Sequence, residues 1–334
     1  MIMGSTDDEA ESFFQATAKV NLVDANLFDR ETPQRTVMMP EIIIDKYPVT
    51  CHQYLEFCTA TRHQCPENWR SGRYPDGQTN HPVTYVTMQD ALAYCKWVGG
   101  RLPYESEWEK AARGTDGRVY PWGNQFDPNC ANVDKHGAEA RTQSVDAYPD
   151  GASPYGCMDV VGNVMEWTWD QNVPYPGFKD KHRKPGAGGM TVTIISGGGQ
   201  VTENPVFVPT ESTVRGGSYQ TVTGLCRCAS RLNTSQKMAA PWLGFRCVYS
   251  PDPANAAREM LEAGNIKAAV ERSRMALILS PTHPAVSFNA GVTFRYAKLF
   301  DEAADIWQRL LASWPDDADA QAELSRCRRK DSSR

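Results

Sequence analysis

Residues 215–231 read RGGSYQTVTGLCRCASR, a Gly-Gly turn followed by two cysteines one residue apart. The segment supports three readings: reactive thiols, a soft-metal site, or a packed strand that carries sulfur. On a strand alternate residues share a face, so the sulfurs of Cys226 and Cys228 would point the same way. Cys-x-Cys is a weak signal by itself, and two small buried apolar side chains are its plain reading. Which reading holds depends on the chain around it.

That chain has 334 residues, enough for one large domain and something smaller. Hydrophobic residues make up 41% and charged residues 22%, an ordinary globular composition. The charges, 35 basic against 40 acidic, give −5 and form no basic stripe for nucleic acid. The one basic cluster, Arg326, Arg328, Arg329 and Lys330, reads as a solvated helix end. Nothing approaches the ~20 apolar residues of a membrane span. The start, MIMGSTDDEAESFF, is acidic and lacks the apolar core of a secretory signal. The expectation is therefore a cytoplasmic, reducing setting with cysteines as thiols. Ten cysteines are many for that setting, which leaves open an export segment upstream.

Texture changes near Ser250. Before it lie nine of the ten cysteines and short apolar runs broken by Gly, Pro, Asn and Asp, the pattern of loop-rich α+β structure. After it the chain turns Ala-rich with helical periodicity. Ser250-Pro251-Asp252-Pro253 reads as a linker between domains 1–250 and 251–334. In the second domain Ala263-Gly264-Asn265-Ile266 is matched by Ala297-Lys298-Leu299-Phe300, and Ser280-Pro281 by Trp314-Pro315. Both offsets are 34 residues, the tetratricopeptide period. Two antiparallel helix pairs with small residues at Ala269 and Ala303, then a closing helix from Ala318 to Arg328, follow from it. Such a tail serves as a helical prop or as a groove for a protein or peptide partner.

In the first domain a helical stripe through Tyr54, Leu55 and Cys58 predicts a helix over Thr50 to Thr59. Thr87 to Asp90 resembles a capping box opening a helix Ala91 to Val98, and a third helix spans Glu105 to Arg113. Cys51, Cys58 and Cys65 recur every seven residues, as core or as a local staple. Met190 to Ser196 is the one strand-like run in a Gly- and Pro-rich stretch. Trp122, Trp167, Trp169 and Trp242 read as core. Six histidines show no metal-binding spacing, and the glycine runs 186–189 and 197–199 lack the strand-glycine-helix context of a phosphate loop.

Four stretches taken together, HPVTYVTMQDALAYCKWVGGRLPYESEWEKAARG, YPWGN, YGCMDVVGNVMEWTWD and RGGSYQ…CRCASR…LGFRC, resemble the formylglycine-generating enzyme, or sulfatase-modifying factor, family. The resemblance covers roughly residues 1–250. It implies an irregular, C-type-lectin-like α+β fold, here joined to a small all-α tetratricopeptide-like domain. It further implies a structural calcium ion held by the side chains of Asp159 and Glu166 and the carbonyls of Gly162 and Val164. Hard oxygen ligands around a glycine turn suit that ion, and capping of backbone N–H groups is the alternative. A second family calcium site would begin at Asn132-Val133, but its acidic loop is shortened to Ala138-Glu139-Ala140-Arg141.

The family's oxidases hold copper between two cysteine thiolates after the Gly-Gly-Ser-Tyr. Here the first position is Thr221. Counted from Tyr219, Cys226 takes the second; counted from Arg227 onward, the segment is three residues short and Cys226 falls elsewhere. Copper is accordingly not expected. Cys228 matches a structural cysteine whose partner position is Ala112, and Cys95 and Cys247 match another structural pair. The iron-dependent sulfoxide synthases of this fold use a histidine-bearing helical domain that these residues do not supply. Two functions remain: a module binding a protein, peptide or small ligand near residues 215–231, or a thiol- or copper-dependent oxidoreductase acting on a cysteine-containing peptide or other small substrate through Cys226.

Overall fold

The computed structural model describes residues 1–19, 25–39, 41–179, 211–249, 253–279, 284–313 and 315–330. The strand-like run Met190 to Ser196, both glycine runs and the linker residues Ser250 to Asp252 lie outside them. In chain order the elements to residue 247 are β1 (Ile2–Met3), α1 (Asp7–Ala18), α2 (Asn26–Asp29), β2 (Arg35–Thr36), β3 (Ile43–Ile44), α3 (Cys51–Thr61), α4 (Met88–Trp97), α5 (Glu105–Arg113), β4 (Met165–Gln171), β5 (Glu211–Arg215), β6 (Arg231–Ser235) and β7 (Leu243–Gly244). After β8 (Val248–Tyr249) come α6 (Pro253–Glu262), α7 (Ile266–Leu279), α8 (Pro284–Tyr296), α9 (Phe300–Ser313) and α10 (Ala318–Arg328). Residues Met1–Pro40, Ile44–Ala91 and Leu102–Cys247 form one compact unit, and Glu41–Ile43, Leu92–Arg101 and Val248–Arg334 a second. The second unit thus draws two short upstream segments to the helical tail, which a boundary at 250 does not foresee.

The helices of the first unit start where local chemistry starts them. Thr50 Oγ1 accepts from Gln53 N at 3.3 Å and Gln53 Oε1 from Thr50 N at 2.9 Å, a reciprocal cap that opens α3. Thr87 and Asp90 do the same for α4, at 3.2 and 2.9 Å. Helix α5 begins and ends where the sequence places it.

Around these helices the sheet runs β6-β5-β4-β7, antiparallel except for the parallel β4–β7 pair. Its registers set Glu166 opposite Arg215, and Arg215 opposite Arg231. Helix α5 turns an unusual face inward: Glu105 and Glu109, one turn apart, are buried beside Trp108. Their counter-charges come from the strands. Arg231 forks onto Glu105 at 2.7 and 2.8 Å, while Arg215 bonds Glu109, which also accepts from Arg113 at 2.8 Å. Glu166 of β4 continues the ladder with Arg246 at 2.6 and 2.7 Å. Buried carboxylates survive only with partners of this kind. The ladder therefore fixes α5 on the sheet, and the sheet on the loops that follow.

The second unit carries its own core: Ala290, Phe294, Ala303, Ile306, Trp307, Leu310, Ala320 and Leu324. Successive helices pack on one another, and α6 also reaches α8. The α6–α7 and α8–α9 turns repeat down to their hydrogen bonds. Gly264 and Lys298, 34 residues apart, are both left-handed (φ 81° and 61°). Asn265 N donates to Met260 O at 2.9 Å, and Leu299 N to Phe294 O at 2.8 Å, the closing bond of a Schellman-type cap. Arg272 lies over the ring of Tyr249 at 4.4 Å, tying α7 to β8.

Helices α8 and α9 approach through Gly291, where a Cβ would stand 2.5 Å from Cζ2 of the fully buried Trp307. Alanine would gain about 1 kcal/mol of helix propensity, but a walled-in indole cannot move aside. Gly291→Ala is expected to destabilise the tail by about 1–2 kcal/mol net. Thermal unfolding followed at 222 nm checks this, and an unchanged or raised midpoint would show that the helices can part freely.

Candidate functional site

The loop from β5 to β6 carries the Cys-x-Cys segment, and it is not a strand. Gly216 and Gly217 are left-handed (φ 89° and 70°), and a Cβ on Gly217 would stand 2.6 Å from Cys226 Sγ. The chain then turns at Ser218–Thr221, where Ser218 N donates to Thr221 Oγ1 at 2.9 Å and Thr221 N to Ser218 O at 3.0 Å. A short 3-10 turn over Thr223–Leu225 delivers Cys226 behind Gly217. The strand reading of Cys226-x-Cys228 is therefore corrected. Two consecutive left-handed glycines and a further turn break the alternation that would make the sulfurs share a face.

Both cysteines are fully buried, within a cluster of Trp108, Ala111, Ala112, Val160 and Val161. Cys226 Sγ contacts Thr221 O at 3.5 Å. Burial pushes its thiol well above the ordinary range, Asp134 adds to this, and Arg227 opposes it. Burial likewise pushes the Cys228 thiol up to about 12. Neither is a ready thiolate at neutral pH. The Thr221 hydroxyl is engaged by Ser218 N and by Ser218 Oγ at 3.1 Å. One buried thiol and one hydrogen-bonded hydroxyl do not make the two-sulfur donor set that suits Cu(I), so this pair does not fit copper.

The stretch Asp159–Glu166 faces the same loop. Gly162 N donates to Gly216 O at 3.0 Å, and Tyr219 N to Asn163 O at 3.1 Å. Asn163, which the sequence reading did not single out, is the node. Its amide donates to Asp159 Oδ2 at 2.8 Å and Gln143 O at 3.1 Å, and its carbonyl accepts from Gln143 N at 2.9 Å. Asp159 is buried, and burial pushes its carboxyl up to about 7 against the partial relief of Asn163 and Arg246. Glu166 differs: Oε2 accepts from Trp108 Nε1 at 2.8 Å and from Arg246 Nε, while Oε1 takes Arg246 Nη2. Asp159 is thus the carboxylate short of positive charge, and Glu166 is already neutralised. Asn132 Oδ1 is a buried acceptor without a hydrogen-bond partner among the described residues. Among those residues no three His, Cys, Asp or Glu side chains converge as metal ligands. A site half built from carbonyls is of another kind. Both Glu166 oxygens are taken by Arg246 and Trp108, so of the two expected calcium carboxylates only Asp159 is without a cationic hydrogen-bond partner among the described residues.

Three arginines of residues 215–231, overlooked beside the sulfurs, carry most of this loop's fixing. Besides Arg215 and Arg231, Arg227 forks onto Glu31 at 2.7 and 2.6 Å and lies over the ring of Phe13 at 4.2 Å. Of the tryptophans, Trp167 is core, whereas Trp169 is 45% exposed, a departure from its expected burial. Its backbone N–H donates to Pro103 O at 2.9 Å, next to the exposed Tyr104. No helix of the described residues is long and apolar enough to cross a membrane.

Residues 11–251 match the family described as sulfatase-modifying factor enzyme 1-like domain. The formylglycine-generating enzyme of Mus musculus is 34% identical over 201 residues, 54% of this chain and 48% of that protein. The formylglycine-generating enzyme of Mycobacterium tuberculosis is 29% identical over 288 residues, 67% of this chain and 92% of that protein. Hercynine oxygenase from the same organism is 32% identical over 217 residues, 54% of this chain and 50% of that protein. The chain spans about half the length of the mouse enzyme and of the oxygenase. The structure of PvdO from Pseudomonas aeruginosa superposes with a TM-score of 0.51 at 21% identity, over 74% of this chain and 90% of that one, which establishes the α+β fold. With its family matched across most of the chain and its fold shared with a solved relative, this protein belongs to the sulfatase-modifying factor enzyme 1-like domain family.

Proposed function

We propose that this protein is a binding or accessory module on a formylglycine-generating-enzyme-like scaffold, recognising a protein, peptide or small ligand rather than oxidising one. The observation that carries the reading is the state of residues 221 and 226: a hydrogen-bonded hydroxyl and a thiol buried behind Gly217, both without an open face. The exposed Tyr104 and Trp169 support it, as aromatic surface on which a ligand can rest. The helical tail is, on this reading, a pair of tetratricopeptide-like hairpins docking a protein partner, and neither nucleic acid nor a membrane is involved. Calcium is proposed as a structural ion held by Asp159 and Glu166 with the carbonyls of Gly162 and Val164.

The other reading, an oxidoreductase working through Cys226, is favoured by the identity to enzymes of 29–34%. Incubation with a Cys-x-Pro-x-Arg peptide and supplied copper separates the two. Mass spectrometry is expected to show no aldehyde-forming loss of mass, and Thr221→Cys alone is not expected to create one, because Cys226 stays enclosed. Turnover by the wild type that disappears in Cys226→Ser would establish the oxidoreductase.

A further inference from the structure

Three Asp-Gly dipeptides stand in the chain, at 76–77, 116–117 and 150–151. A glycine after aspartate removes the side chain that otherwise shields the peptide nitrogen, which leaves the aspartyl carboxyl open to attack by its own backbone. The fold treats the three differently. Asp116 is held by Arg118, whose Nε donates to Oδ1 at 3.0 Å and Nη2 to Oδ2 at 2.7 Å, with Arg118 N on Oδ1 at 3.2 Å. Those bonds hold its carboxyl down to about 2, so at neutral pH it is ionised and a poor electrophile. Asp150 lies in the 3-10 turn Pro149–Gly151, where Gly151 N donates to Tyr148 O at 3.0 Å. Gly151 is buried, and a Cβ there would collide with Cys130 O, so the nitrogen is engaged and the backbone has no room to turn.

Asp76 has none of these restraints. Residues 75–78 form a turn closed by Gln78 N on Pro75 O at 3.1 Å, with Gly77 left-handed (φ 80°) as the third residue of a type II turn requires. The closing bond leaves out the central peptide, which joins Asp76 to Gly77. Both residues are exposed, and nothing lies within 4 Å of where a Gly77 Cβ would sit. Among the described residues neither the Asp76 carboxylate nor Gly77 N has a hydrogen-bond partner.

We propose that Asp76 is a site of spontaneous isomerisation to isoaspartate. Gly77 N attacks Cγ of the Asp76 carboxyl group in its protonated form. The new C–N bond closes a five-membered succinimide, and the carboxyl OH leaves with the amide proton as water. Water then adds to a ring carbonyl. Addition at the α-carbonyl breaks its bond to Gly77 N, so the chain now runs through Cγ and the α-carboxylate is freed. One water leaves and one returns; nothing is oxidised or reduced, and the mass is unchanged. The backbone gains a methylene between Asp76 and Gly77, which disturbs the turn that closes Gln78 N on Pro75 O. The next two carbonyls, Gln78 O and Thr79 O, accept from His81 N at 3.1 Å and His52 N at 3.2 Å, so the lesion falls on a connection seated against the first turn of α3. The freed carboxylate is the group that isoaspartyl carboxyl methyltransferases esterify, and a repair enzyme of that class is the implied partner.

Full-length protein aged at neutral pH below its melting temperature, then digested with trypsin, tests this. The three sites fall in peptides 74–96, 114–118 and 142–179. Peptide 74–96 is expected to accumulate a second form, of equal mass and different retention, several-fold faster than the other two. An endoproteinase that cuts before aspartate should fail at residue 76 of that form and still cut before Asp90. In the aged protein, peptide 74–96 should accept a methyl group from an isoaspartyl methyltransferase. In aged Asp76→Glu, which cannot close the five-membered ring, it should not. Ageing in guanidinium chloride should bring the three peptides to similar rates, because the restraints on Asp116 and Asp150 are then gone. Isoaspartate arising first at 116 or 150 in the folded protein, a single form of peptide 74–96, or the same ranking kept in denaturant would each overturn the proposal.

Discussion

Arg246→Met is expected to cost about 3–5 kcal/mol of stability, because it strands a buried carboxylate. Arg246 is fully enclosed and spends its guanidinium on Glu166, on Asp45 O and Lys46 O at 3.1 Å each, and on Met158 O at 2.7 Å. Methionine approximates the stem and supplies none of these donors, leaving Glu166 with Trp108 alone. Arg246→Lys should lose less, keeping the charge without the fork. Replacing Arg246 and Glu166 together by apolar residues should recover much of the loss, since an absent pair costs less than a broken one. Urea unfolding of the three variants measures the series. A single Arg246→Met variant within about 0.5 kcal/mol of the parent would remove the ladder from the account of stability.

The second large effect is one of pH. In the folded protein Asp159 keeps its proton to about pH 7, while an ordinary aspartate releases it near 3.8. Between those values the native state binds more protons than the unfolded state, so stability falls as pH rises and levels off above pH 7. At about 1.4 kcal/mol per pKa unit the fall is about 4 kcal/mol. Asp159→Asn should flatten this slope, and at pH 8 the variant should be the more stable protein when calcium is chelated. Calcium, which takes only the ionised carboxylate, should restore the wild type at pH 8 and leave the variant unmoved. Denaturation at pH 5 and pH 8, with chelator or calcium, reads all of these. Parallel profiles for the two proteins would show that Asp159 ionises like any surface acid; a wild type indifferent to calcium would leave it a turn cap.

What was legible in the sequence was what short-range chemistry decides. The helical stripe of α3, the Thr87 cap, the limits of α5 and the 34-residue echo in the tail all depend on residues a turn or a repeat apart. The ladder was not legible. Its pairs are separated by 80, 106, 126 and 196 residues, and no local pattern names the partner of an isolated glutamate. The expected calcium residues are neighbours in sequence, Asp159 on a loop and Glu166 on β4, yet only the fold reveals that Glu166 is committed to Arg246 while Asp159 is not. In residues 215–231 the eye goes to sulfur, whereas the arginines there hold the loop and the sulfurs fill space. Trp169 was misread because aromatic content predicts burial on average and says nothing of which face of β4 a residue takes.

The ladder also sets an order of events in time. Apart from Arg113–Glu109, which lies within α5, none of its ion pairs can close until segments far apart in sequence have met, and loop closure over such spans comes late. On the way in, each acid remains hydrated and each arginine unpaired. The pairs therefore contribute little to how fast the chain arrives and much to how slowly it leaves. Their removal would be felt on the unfolding limb of a kinetic experiment, with the folding limb nearly unchanged. Read this way, the buried charges are a latch, closed last and opened first.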